Sequence, residues 1–181
     1  RLLLYRVFEN RMNIPDADIN HLINTHVEEY LRLNHISGAE HEKHRKEYLD
    51  AWPFSPRLLQ LLDDQVLIAA ETQETRDLLR ILVDVFKAVG ESKAILTPAD
   101  FKLTSEKAGV MSLLDSVASQ LHRDLRQNAL RNLEAVNNAV ASAQVPHLEA
   151  ILSALWLRSL SLEHHAGADN KELQLDITES K

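Results

Sequence analysis

The chain has 181 residues, of which 45% are apolar but only 4 are Gly and 5 are Pro; 20 basic and 27 acidic side chains leave a net charge of −7. It contains no cysteine, which excludes disulfides, thiolate zinc sites and cysteine nucleophiles and fits a reducing, cytoplasmic setting. No apolar run is long enough to span a bilayer, the N-terminus lacks a signal-peptide layout, and the acidic balance argues against a free-standing nucleic-acid binder.

Few turn formers and many good helix formers predict an all-α protein. Residues 1–13 place Leu3, Leu4, Val7, Phe8 and Met12 at helical spacing. A helix already under way at RLLLYRVF suggests a chain cut from something larger. Pro15 restarts the chain at a first-turn position, and Ile19, Leu22, Ile23, Val27, Tyr30 and Leu31 form one stripe of a long helix that Gly38 is expected to stop. AEHEKHRKEYLDAW is a polar helix. Its His41 and His44 are three apart, whereas the zinc motif HExxH needs four, so a solvated face is expected there.

In WPFSPRLLQLL, Ser55 is the expected N-cap, Pro56 the first helical residue, and Trp52 and Phe54 the anchors of the turn. QETRDLLRILVDVF follows. ILVDVF resembles a buried strand ending in a metal-binding aspartate, but Arg76, Arg80, Asp84 and Lys87 recur at i, i+4, i+8 and i+11, which is a helical stripe. A helix from a Thr72 cap to Val89, ended by Gly90, is expected. An exposed Arg80–Asp84 pair would be the plain reason for such a stripe.

AILTPADF is a short extended piece in which Thr97 and Pro98 are shaped like a helix start. KLTSEKAG is a plausible linker, and residues 111–143 read as one long helix. That helix carries Arg123, Arg126 and Arg131, which form either a phosphate-binding ridge or a solvated face with intrahelical ion pairs. Pro146 is expected to open a last, nearly all-apolar helix with Trp156 in the core, and DNKELQLDITESK to trail away as a frayed polar end.

No GxxxxGK[ST] motif is present, and the four glycines, at 38, 90, 109 and 167, cannot build a phosphate cradle. The chain is not expected to hydrolyse a nucleotide by itself.

TQETRDLLRILVDVFKAVGESKAILTPADF is similar to the end of the helical lid in AAA+ ATPases of the origin-recognition type. Arg76 matches a first-turn arginine there, and Thr97, Asp100 and Phe101 match the segment that introduces a C-terminal, often winged-helix, domain. The glycine-containing lead-in of that family is replaced by Thr72, Gln73 and Glu74. A further resemblance is to large prokaryotic ATPases, some encoded near phage-defence systems. Their pattern is met by Arg6, Phe8 and Glu9, by WPFSPRLL with Ser55 in place of the usual histidine, by QETR, and weakly by SALWLRSL. The resemblance implies a helical lid-like domain over 1–103 and a second helical domain over 104–181, the start of a winged-helix-like unit. It also implies a nucleotide-sensing role, with Arg76 and secondarily Arg80 reaching the terminal phosphates. ATP and Mg would be bound only in the parent protein, with an upstream P-loop core of the same chain as partner. The alternatives are a non-enzymatic helical module for self-assembly or protein partners, and a nucleic-acid-binding domain using the arginines at 123, 126 and 131.

Overall fold

The computed structural model describes residues 13–33, 35–66, 74–90, 92–105, 120–160 and 167–177. Among these there are seven α-helices: α1 (Asp16–Leu33), α2 (Gly38–Ala51), α3 (Pro56–Val66), α4 (Glu74–Val89), α5 (Gln120–Ala139), α6 (Leu148–Ser159) and α7 (Asn170–Ile177). The all-α expectation holds. The predicted first helix, the Thr72 cap, the Tyr30 side chain and residues 111–119 lie outside the described residues.

α1 buries Ile19, Ile23, Val27 and Leu31, one residue per turn, while Leu22 faces out. The predicted stop at Gly38 is wrong, because Gly38 is the first residue of α2. α1 ends earlier through His35, which adopts φ 51°, with the His35 and Ile36 N–H groups reaching back to the Arg32 and Leu31 carbonyls at 3.3 and 3.2 Å. That is a Schellman ending with histidine where glycine is usual.

The junction at 52–55 is built as expected. The Ser55 hydroxyl accepts the Leu58 N–H at 3.2 Å and caps α3, so the residue that replaces the histidine of the resembling family is a fully buried structural cap. Phe54 is fully buried and pairs in a single parallel bridge with Leu96. Ser55 N–H donates to Leu96 O and Leu96 N–H to Pro53 O, both at 2.8 Å. Immediately after the bridge, Thr97 caps a 3₁₀ turn (Pro98–Asp100): the Asp100 carboxylate accepts the Thr97 N–H at 2.7 Å, and its other oxygen lies 2.6 Å from Lys93 Nζ.

This crossing separates two hydrophobic clusters. Leu96 enters the larger one, with Phe54, Leu58, Leu61 and Leu62 from the α3 region, Ile81, Leu82 and Val85 of α4, Phe101, Leu103 and Trp156, Leu157 and Leu160 of the α6 region. Ile95, its neighbour, enters the smaller one, with the α1 stripe and Tyr48 of α2. Extended backbone sends successive side chains to opposite sides, and here each side is a core. The larger cluster takes residues from both sides of position 103.

α5 is pinned rather than deeply buried. Arg126 Nε and Nη2 donate to Leu103 O at 3.1 and 2.6 Å, Leu103 N–H donates to Ser153 Oγ of α6, and Trp156 Nε1 donates to His122 O. The helix ends at Ala139, earlier than the predicted 143, where Asn137, Asn138 and Ser142 weaken helical propensity and a 3₁₀ turn (Ser142–Gln144) follows. Pro146 does not open α6. His147, at φ 62°, makes the turn, and its carbonyl accepts the Ile151 N–H. The C-terminal stretch is not simply a polar tail: Asp169 and Glu172 exchange backbone-to-side-chain hydrogen bonds at 3.0 and 2.8 Å, a capping box that starts α7.

Truncating Phe54 at the crossing is expected to cost about 4 kcal/mol, as for a buried aromatic ring. Removing the cap with Ser55→Ala should cost about 1 kcal/mol. Urea unfolding followed by circular dichroism checks both magnitudes and their order.

Candidate functional site

Arg76, Arg80 and Lys87 lie on the exposed face of α4, with Asp84 half-buried beside them. The opposite face carries Leu78, Ile81, Leu82 and Val85, all buried in the larger cluster. This fixes the helix as a platform. Among the described residues the Arg76 guanidinium has no hydrogen-bond or ion-pair partner, whereas Arg80 is engaged in interactions of its own. Both predicted residues therefore share one solvent-facing stripe, and Arg76 is the one without a partner among the described residues.

The arginine series on α5 is not a ridge. Arg126 is turned inward and 9% exposed, its guanidinium consumed by Leu103 O. Arg131 donates to Asn128 one turn earlier. His41 and His44 also differ from a shared site: His41 Nε2 lies 2.8 Å from Ile36 O, and His44 Nδ1 is 3.5 Å from a Glu47 oxygen. Among the described residues, no group of three or more His, Asp and Glu is placed to hold a metal ion.

Two polar features of the interior were not anticipated from the sequence. The first is an ion cluster joining α3, α6 and α7. Arg158 is 3% exposed; it places Nη1 3.2 Å from Asp176 Oδ2 and Nη2 2.9 Å from Glu172 Oε1, and donates from Nε and Nη2 to Gly167 O. Arg57 reaches the same Glu172 oxygen at 3.1 Å and Asp176 Oδ1 at 4.0 Å. Burial pushes the Asp176 carboxyl up to about 6, although both guanidiniums pull the other way. Burial also pushes Glu172 up, but the Asp169 backbone N–H and the arginines outweigh it and hold that carboxyl below its usual range. The readable signals were a lone arginine inside the apolar run LWLRSL and a lone acid inside LQLDI.

The second is His26, which is 2% exposed, packs its ring 5.6 Å from that of Tyr48, and has no hydrogen-bond partner on either nitrogen. Burial, with Lys93 adding to it, pushes its imidazole down to about 4, so it is neutral at physiological pH.

A cleft of about 350 Å³ lies between α5 and the start of α6, lined by Lys93, Lys102, Asn137, His147 and Glu149. Its charges are largely answered internally, Lys93 by Asp100 and Glu149 by the Thr104 hydroxyl. No described helix is long and apolar enough to cross a membrane.

The two buried groups act oppositely on stability. For His26 the unfolded chain binds the proton more readily, so its stabilisation is present above about pH 6.5 and lost as pH falls towards 4. For Asp176 the folded chain binds it more readily, so stability is gained as pH falls from about 6 towards 3.8. Between pH 7 and 5, His26→Leu is expected to become more stable by about 1 kcal/mol and Asp176→Asn less stable by about 2 kcal/mol, with the unmodified chain between them. Urea midpoints at the two pH values give these slopes.

A family model described as the DUF499 second domain matches residues 2–175. No curated protein and no solved structure matches the chain.

Proposed function

The chain belongs to the family of DUF499 second domains, and from that footing we propose that it is the nucleotide-sensing helical lid of a larger P-loop ATPase of AAA+ type, not catalytic alone. ATP and Mg would sit on a core elsewhere in the parent protein, and the lid would supply Arg76 to the terminal phosphates. The observation that carries this is the position of Arg76: first turn of α4, exposed, without a partner among the described residues, on a helix whose other face is locked into the core. A guanidinium stays charged and offers a planar fork of donors to phosphate oxygens. A contact formed only with the triphosphate would convert hydrolysis into movement of the rigid bundle behind α4. Arg80, one turn further on and already engaged, is the supporting residue. A family description as a second domain fits a unit that works beside another. The resemblance to ATPases encoded near phage-defence systems would place the parent in the cytoplasm in that setting.

A non-enzymatic interaction module is the second reading, and one feature favours it. Leu121 and Leu125, one turn apart on α5, are 65% and 41% exposed. The buried Arg126 leaves the nucleic-acid alternative without its central cation.

In the full-length parent, Arg76→Ala is expected to lower ATP turnover or ATP affinity by about tenfold or more with an unchanged circular dichroism spectrum, and Arg80→Ala by about threefold at most. Equal and negligible effects of both substitutions would return the stripe to a solvated helix face and leave the interaction module in front.

A further inference from the structure

We propose that α7 is a detachable strap, a short helix seated by a cluster of two arginines and two carboxylates, of which Arg158 and Asp176 are buried and Arg57 and Glu172 partly exposed, that leaves its seat while the remaining bundle stays folded. The inference does not depend on the nucleotide reading. α7 has eight residues, too few to persist as a helix without tertiary contacts. Its one fully buried residue is Asp176; Leu173, Leu175 and Ile177 are only half-buried. α3, by contrast, buries Leu58, Leu61 and Leu62 completely in the larger cluster.

The seat is made of charge. Arg158 holds both ends of the strap, Gly167 O before the helix and Asp176 in its last turn, while Arg57 and Arg158 share Glu172 Oε1. Taking charges out of water offsets most of what their attraction supplies, so such a cluster fixes geometry more than it adds stability. An element with little apolar burial and a seat of this kind sits at the low end of local stability. Its position gives detachment a consequence. Leu175 packs on the smaller cluster with α1 and α2, and Asp176 lies between Arg57 of α3 and Arg158 of α6. α7 therefore ties the α1–α2 pair to the main bundle, and its release loosens that tie.

Hydrogen exchange of the whole chain at pH 7, read by mass spectrometry, tests this. The amides of residues 173–177 are expected to exchange about tenfold or more faster than those inside α3 and α6. Asp176→Ala should speed them further and extend the effect to α1 and α2, leaving α3 and α4 unchanged. Leu62→Ala, a core truncation, should instead speed every helix together. Exchange of α7 at the same rate as α3 and α6 in the unmodified chain would overturn the proposal. So would an Asp176→Ala chain in which all helices exchange faster in step. Should Asp176→Ala fail to fold, the unmodified chain alone decides.

Discussion

Two backbone hydrogen bonds, Ser55 N–H to Leu96 O and Leu96 N–H to Pro53 O, hold together segments some forty positions apart, and the bundle is arranged around them. With no sheet among the described residues, this crossing is where the chain fixes a long-range backbone register. Each strand of it feeds an element start. Ser55 caps α3, and Thr97 with Asp100 starts the 3₁₀ turn against which α6 packs. The Asp100 carboxylate is fully buried, yet it spends one oxygen on the Thr97 N–H and the other on Lys93, so its charge is answered at both atoms. Because Ile95 and Leu96 point into different cores, a slip of one residue at the crossing would exchange their environments and unseat both clusters.

Around this apolar arrangement the polar interior follows a consistent rule. Arg126 and Arg158 are buried where they complete a backbone or carboxylate partner far along the chain, and Asp100 where it meets the Thr97 N–H and the Lys93 ammonium. His26 departs from the rule, with neither nitrogen bonded, and burial together with the nearby Lys93 keeps it neutral. The outward arginine of α4 is a different case: its helix gains its place from Leu78, Ile81, Leu82 and Val85, and Arg76 is exposed on the other face, without a partner among the described residues. Structure and the proposed sensing role thus draw on opposite faces of one helix.

Much of the fold was legible in the sequence. The periods of Ile19, Ile23, Val27 and Leu31 and of the α4 stripe gave helices, and Ser-Pro and Thr-Pro marked the two starts that meet at the crossing. What escaped was set by three-dimensional neighbours. His35 takes a left-handed conformation that histidine rarely signals, so the stop fell before Gly38. Arg126 looks like any helical surface arginine until Leu103 O lies beside it. The C-terminal segment reads as polar, and only the Asp169–Glu172 capping box and the isolated acid of LQLDI told of a seated helix. The charge period placed Arg76 and Arg80 on one helix face, and only the resemblance made them site candidates; the difference between them depends on which donors the fold engages.

If the crossing governs the bundle, its amides open only when everything opens. Native-state hydrogen exchange by NMR on the Ser55 and Leu96 N–H groups measures this directly. The account predicts that both exchange at the global unfolding free energy, matching the slowest amides of α3 and α4 and shifting with them as urea is added. Exchange of Ser55 and Leu96 through a local opening, with the α3 and α4 amides still protected, would contradict it.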